Sequence, residues 1–274
     1  MSNFKKLFMW FFAASMLATL FSIPEDGMVT FDRVTDWNNE AHLIDSDDLD
    51  FYSIGSRDAK TVQPVVKIIF AVEMAFLRTA TNSATGFSVA YDKSEDVSYI
   101  VTNDHFCEHH EELTSGTKFL YQNHRGIISP EGSPDLKELT VYRRDKSKDL
   151  CLMSAQGYVR PAKVASPKYK VRQMEKVTTI GSPAGVFPVL LETHISNMFS
   201  REVAPKSMHG GRNLYLLSEQ VFAGQSGSPV YNSEGEVIGV IFMSLSNRSG
   251  PVYGGVAIPL LDLIEFLDDS KIKY

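Results

Sequence analysis

The sequence predicts an all-β barrel or sandwich that ends in one helix and lies behind a separate hydrophobic helix at the N-terminus. Three observations predict it. From Thr61 onward the chain breaks into short apolar or alternating runs rich in β-branched and aromatic residues, among them VVKIIFAV, GFSVAY, YIVTN, LTVYRR, LCLMSA, KVTTIG, VLLETHIS, EVIGVIFMS and GGVAIP. Between these runs lie YDKSED, SPEGSPD, GSPAG, HGGRN and NSEGE, whose Gly, Pro, Asn, Asp and Ser content marks turns at the frequency of a sheet protein. Helical spacing comes late, in PLLDLIEFLDD, where Leu260, Leu263, Ile264 and Leu267 share one face behind Pro259.

Composition bounds the rest. With 43% hydrophobic and 22% charged residues over 274 positions, the chain can bury a core, and it is neither disordered, collagenous nor disulfide-dense. A net charge of −6 and a pI near 5.7 leave no basic footprint for nucleic acid. Two cysteines without CxxC spacing exclude a disulfide framework and a structural zinc site. No internal repeat of solenoid or propeller length occurs.

The charge is unevenly placed. Residues 1–23 carry only Lys5 and Lys6, residues 24–61 hold ten acids against Arg33, Arg57 and Lys60, and the remainder is close to neutral. Lys5 and Lys6 precede an apolar run from Leu7 to Ile23 that Pro24 closes, the layout of an export signal. As a helix the run would span about 25 Å against roughly 30 Å of hydrocarbon, so its length fits a signal peptide or a signal anchor. Cutting after Ala18 or Ser22 puts Met16 or Leu20 at the −3 position, which favours retention. Lysines before the run and acids after it place the following domain outside the cytoplasm, attached to the membrane through residues 7–23 if they are uncleaved. Residues 24–61 show no sustained periodicity and are expected to form a solvated acidic linker or stalk. The expected main domain is 62–274.

Three segments of that domain carry chemistry together. SYIVTNDHF ends in His105, SKDLCLM places Asp149 ahead of an apolar strand, and FAGQSGSPVYN holds Ser226 in a glycine-flanked turn. Attack by a serine needs a base for its proton, a carboxylate to fix the imidazole tautomer, and backbone N–H groups for the developing oxyanion. Glycine at 224 lets the backbone turn tightly enough for the Gly224 and Ser226 amides to converge, and Gly227 leaves room behind the nucleophile.

In this order of residues the chain resembles the trypsin-like, chymotrypsin-fold serine peptidases, over roughly residues 62–270. Within them it is most similar to the HtrA proteases and the glutamyl endopeptidases: GFSVAY then YIVTNDH, KDLCLM, VTTIGSPAG with THIS, GQSGSPVYNSEGEVIGV, and GGVAIP follow the family's order. The resemblance implies two six-stranded antiparallel β-barrels with a C-terminal helix. It implies a serine endopeptidase acting through an acyl-enzyme, with His105 as general base, Asp149 as its orienter, Ser226 as nucleophile, and the Gly224 and Ser226 N–H groups as oxyanion hole. The substrate is a polypeptide, and no cofactor or metal is implied. By position Ile241, Phe242 and Met243 would pair with the substrate backbone, and Gln220 would lie near the base of the primary specificity pocket. With no acid at Gln220, a small to medium apolar side chain is the expected preference.

Departures from the family narrow these expectations. Gln225 stands where digestive relatives carry an aspartate that pairs with a freed N-terminus, so activation of that kind is not expected. Glutamyl endopeptidases place a histidine fifteen residues after the nucleophile, and here that position is Ile241. Unlike in most HtrA proteases, no PDZ domain is expected, since the sequence stops soon after one helix. Cys107 and Cys151 each lie two residues beyond a triad member, which makes a bridge conceivable, but buried free thiols are the commoner state of strand cysteines and are the expectation here. The run Cys107, Glu108, His109, His110, Glu111, Glu112 lacks HExxH order and reads as a solvated loop. His42, His124, His194 and His209 read as structural. The alternative to an enzyme is a membrane-tethered module that holds an extended peptide in the same cleft without turnover.

Overall fold

One turn sequence is used twice, and it shapes the fold where it matters. Asp92-Lys93-Ser94-Glu95-Asp96 and Asp145-Lys146-Ser147-Lys148-Asp149 share the pattern DKSxD. In each, the first aspartate accepts from the serine two residues on: Asp92 from the Ser94 N–H and hydroxyl at 2.8 and 2.6 Å, Asp145 from those of Ser147 at 2.9 and 2.6 Å. The last aspartate of each turn is left-handed, with φ of 52° at Asp96 and 56° at Asp149, a conformation that aspartate tolerates better than most residues. Both turns join neighbouring antiparallel strands, pairing Asp92 with Val97 and Asp145 with Leu150. The second delivers Asp149 to the start of its strand.

These features belong to a computed structural model that describes residues 63–74, 77–107, 121–128, 137–200, 202, 213–246 and 252–274. The apolar N-terminal segment, the acidic stretch to residue 61, Glu108 to Glu112 and His209 lie outside the described residues, as does the side chain of His124.

Among the described residues the strands are, in order, β1 Val65–Met74, β2 Leu77–Asp92, β3 Val97–Thr102, β4 Tyr121–Ile128, β5 Lys137–Asp145, β6 Leu150–Gln156, β7 Lys176–Gly181, β8 Val189–Phe199, β9 Leu214–Leu217, β10 Pro229–Tyr231, β11 Val237–Ser246 and β12 Val252–Pro259, followed by the helix α1 Leu260–Asp269. The strands close antiparallel into one ring ordered β1-β2-β3-β6-β5-β4 and another ordered β10-β11-β12-β9-β8-β7. The expected all-β class, a closed six-stranded barrel and the C-terminal helix are therefore present.

Burial follows the residues. In β8 the outward positions Leu190, Glu192 and His194 are exposed while Thr193 and Ile195 are buried, so one face meets water. In β6, Leu150 to Met153 are all buried, because this strand is covered on both faces. Helix α1 turns Leu260, Leu263, Ile264, Phe266 and Leu267 inward, onto β11 and β12.

The largest apolar cluster is shared between the rings. Val65, Phe87, Val101, Leu150 and Leu152 of the first pack with Ile180, Tyr231, Val240, Phe242 and Val256 of the second, and with Phe266 and Leu267 of α1. The segment after β6 ties the two together: Ala162 N–H donates to Ser88 O at 2.8 Å, and Ala165 N–H to Val237 O at 2.9 Å. Because this core is continuous, residues of β2 and β3 are held in fixed register against the loop before β10.

Cys107 and Cys151 form a disulfide, so the expected free thiols are corrected. Cys151 pairs with Thr102 across β3 and β6, and the helical residues 104–107 bring Cys107 to it, with 6.6 Å between the Cα atoms. Spacing alone does not reveal this, since it depends on the direction of the turn.

Candidate active site

Asp149 grips His105 twice. Its Oδ2 lies 2.9 Å from His105 Nδ1, and its Oδ1 accepts the His105 main-chain N–H at 2.8 Å. One carboxylate thus fixes both the imidazole and the backbone that bears it. Its own main chain is engaged as well, with Asp149 O accepting from Asp104 N–H at 3.1 Å and Asn103 Nδ2 at 3.2 Å. Asp149 is buried while half of the His105 side chain faces solvent, which leaves the outer ring nitrogen able to meet a reactant.

The helical residues on either side of His105 are pinned. Asp104, 1% exposed, takes a two-pronged ion pair from Arg144 at 2.6 and 3.2 Å, and Cys107 is bridged to Cys151. Arg144 and Cys151 are direct partners across β5 and β6. Both anchors therefore stand on the same pair of strands that positions Asp149.

The loop before β10 carries Ser226 between two glycines with positive φ, 95° at Gly224 and 86° at Gly227. Neither tolerates a side chain. A Cβ on Gly224 would stand 2.1 Å from Ser182 O, and one on Gly227 would stand 1.9 Å from Thr85 O. Main-chain bonds hold the loop on both sides: Thr85 N–H donates to Ser226 O at 2.8 Å and Gly227 N–H to Ile241 O at 2.8 Å. The Gly224 carbonyl accepts from the Thr85 hydroxyl at 2.7 Å and the Ser182 hydroxyl at 3.0 Å. With carbonyls turned inward, the N–H groups of Gly224 and Ser226 donate to no acceptor among the described residues.

The Ser226 hydroxyl is directed at the Phe242 carbonyl, 3.4 Å away, and no hydrogen bond joins it to His105. Such bonds are often long or misaligned before substrate binds. Gln225 is fully buried and its Oε1 accepts the Phe222 N–H at 2.7 Å, bracing the loop from inside. That gives the glutamine a role without a freed N-terminus.

The residues expected to face a substrate differ in their surroundings. The main chain of Ile241 is engaged within the protein, its N–H donating to Ser228 O and its carbonyl accepting from Gly227 N–H, both at 2.8 Å. Phe242 sits at a bulge of β11 with its carbonyl beside Ser226, and Met243 follows it half-buried. Gln220 is exposed. The neighbouring Val221 is buried against Gly255, where an added Cβ would come within 2.2 Å of its Cγ2. In the sequence Ser182 was legible only as part of the motif GSPAG, Gln225 only as a departure from the aspartate of digestive relatives, and Thr85 carried no signal. Among the described residues no group of three His, Cys, Asp or Glu is placed to hold a metal ion, and no helix is long and apolar enough to cross a membrane.

Residues 84–240 match the trypsin-like peptidase domain family, more than half of the chain, and the protein belongs to that family. It is 30% identical over 183 residues to the serine protease Do-like HtrB of Bacillus subtilis (strain 168), covering 66% of this chain and 37% of that protein. It is 26% identical over 198 residues to the serine protease Do-like HtrA of the same organism, covering 70% of this chain and 40% of that one. The chain thus spans well under half the length of these relatives. An inactive form of Rv3671c from M. tuberculosis H37Rv shares the fold with a TM-score of 0.54 at 19% identity, over 79% of this chain and 90% of that one.

Proposed function

We propose that the protein is a serine endopeptidase that cleaves polypeptides through an acyl-enzyme on Ser226. Asp149 carries this reading: its carboxylate holds both the ring and the main chain of His105. With Nδ1 donating to Asp149, the opposite nitrogen is left as an acceptor for the Ser226 proton. Rotation of the Ser226 hydroxyl away from the Phe242 carbonyl presents that proton to His105 and the oxygen to a scissile carbonyl. Negative charge then develops on the carbonyl oxygen, and the Gly224 and Ser226 N–H groups supply fixed dipoles for it. His105 returns the proton to the leaving amine, and water repeats the sequence to release the acyl group. The chemistry uses side chains and main chain alone, without a cofactor.

The catalytic unit is residues 62–274, carried outside the cytoplasm behind the acidic stretch 24–61 and a signal peptide or anchor at 1–23. A disulfide beside the site supports an oxidising compartment. Val221 against Gly255 supports a primary pocket for small apolar side chains. The test is a fluorophosphonate probe on the full chain, with adducts located by mass spectrometry. Labelling at Ser226 that is lost in His105→Ala is expected. An unlabelled but folded wild type would refute it.

The second reading, a peptide-binding module without turnover, has one observation on its side: the Ser226 hydroxyl is bonded to Phe242 and not to His105. Peptide binding of equal strength in wild type and Ser226→Ala, with cleavage by neither, would select it.

A further inference from the structure

The direction of one proposed oxyanion donor is set from the other barrel. Gly224 N–H shares a trans peptide with the Ala223 carbonyl, so the two point in opposite directions. Ala223 O accepts from Ala184 N–H at 2.7 Å. Holding that carbonyl toward Ala184 therefore holds the Gly224 N–H away from it, toward the cleft. Ala184 belongs to the short 3-10 turn Pro183–Gly185 and is left-handed, with φ of 49°. For an alanine that conformation is unfavourable, so the turn needs support from its surroundings.

The support comes from β1. Lys67, 3% exposed, reaches across to donate from Nζ to Gly185 O at 2.7 Å. Within the turn, Gly185 N–H donates to Ser182 O at 3.1 Å and Val186 N–H to Pro183 O at 3.0 Å. Lys67 is also the strand partner of Thr85, the residue whose N–H holds Ser226 O and whose hydroxyl holds Gly224 O. One rung of the β1–β2 ladder thus grips the nucleophile loop twice, directly through Thr85 and through the turn by way of Lys67.

We infer that Lys67 is a positioning residue for the Gly224 oxyanion donor, acting through Gly185, Ala184 and the Ala223 carbonyl. This rests on the oxyanion role proposed above for Gly224. Burial lowers the Lys67 ammonium from 10.5 to about 8, so the fold keeps there a group that is costly to desolvate. An apolar side chain of similar length would avoid that cost and lose the donor.

The test uses the full chain, a fluorophosphonate probe, and the ³¹P resonance of the Ser226 adduct, which reports hydrogen bonding to the phosphoryl oxygen. Wild type, Lys67→Met and Lys67→Arg are compared for labelling rate, adduct resonance and urea unfolding. Removing one oxyanion donor outright costs about two to three decades, so its misdirection in Lys67→Met should slow labelling by roughly ten- to a hundredfold. The ³¹P resonance should move, the unfolding transition should stay cooperative, and Lys67→Arg should recover rate and resonance toward wild type. If Lys67→Met does not fold, Lys67→Gln is scored the same way, and its shorter stem should give the same slowing. Labelling of the variant at the wild-type rate, or slowing with an unmoved resonance, overturns the inference. A wild type that never labels overturns the peptidase reading itself, which is a different result.

Discussion

Thr85→Val removes one hydroxyl from the contact between the barrels and nearly preserves its shape. Thr85 Oγ1 donates to Gly224 O at 2.7 Å and accepts from Ser182 N–H at 3.0 Å, with both residues fully buried. In the variant the Ser182 N–H is left without that acceptor, at a cost of about 1–3 kcal/mol. Gly224 O keeps the Ser182 hydroxyl, but that hydroxyl has one proton, which is also shared with Ala84 O at 3.2 Å. A second net hydrogen bond of about 0.5–1.5 kcal/mol is therefore weakened. Burying a methyl where a hydroxyl stood returns up to about 0.8 kcal/mol. The sum is a destabilisation of about 2 kcal/mol, read from urea midpoints at equal slope. Because Gly224 O lies one peptide beyond the proposed oxyanion donor, fluorophosphonate labelling of Ser226 should fall about tenfold, on the scale of partial loss of such a donor. Destabilisation below about 0.5 kcal/mol, together with labelling within twofold of wild type, would show that the hydroxyl pair neither holds the loop nor shapes the site.

Three other perturbations act at separate points. Asp149→Asn presents an amide N–H where His105 needs an acceptor, forcing the other tautomer, and should slow labelling by about four decades; a loss under tenfold would remove Asp149 from the site. The Cys107–Cys151 bridge spans a sequence separation of 44, for which chain entropy sets a limit of about 4 kcal/mol. Cys107→Ala with Cys151→Ala should lose about 2–4 kcal/mol in urea, and an intact mass showing two thiols in the oxidised wild type would contradict the bridge. Lys67 titrates near 8 when folded against 10.5 in the unfolded chain, so the unfolded state binds more protons across that window. Stability should then rise with pH from 8 toward 10.5, by a total on the order of 3 kcal/mol relative to Lys67→Met. A difference that stays flat between pH 7 and 10 would mean that the buried amine is not desolvated.

Local patterns were the most legible. The apolar run that follows Asp149 in SKDLCLM was enough to place that residue at a strand start, and the structure adds that an aspartate bonded to a nearby serine shapes the turn before it. Helix α1 announced its buried face by spacing, and Ser226 its turn by flanking glycines with no space for a Cβ. The substrate edge was less legible. Ile241 was expected to pair with a substrate backbone, and no local pattern signalled that its N–H and carbonyl bond to Ser228 and Gly227 where the loop turns back on β11. Gln220 was expected near the pocket base, and the buried neighbour against Gly255 is Val221.

What the sequence alone determined was the all-β class, the order His105, Asp149, Ser226, and the turns that carry them, because each depends on neighbours within a few positions. The tertiary structure decided the disulfide, the Asp104–Arg144 pair and the contacts of Lys67, Thr85 and Ser182 with the turn Pro183–Gly185 and the loop that carries Ser226. Thr85 and Ser182 stand 97 positions apart, and Lys67 and Gly185 118 apart. Their hydroxyl and amine groups are ordinary polar side chains until two closed sheets pack together and leave them no water. Burial then makes each hydrogen bond obligatory, and that converts unremarkable residues into the ones that hold the loop.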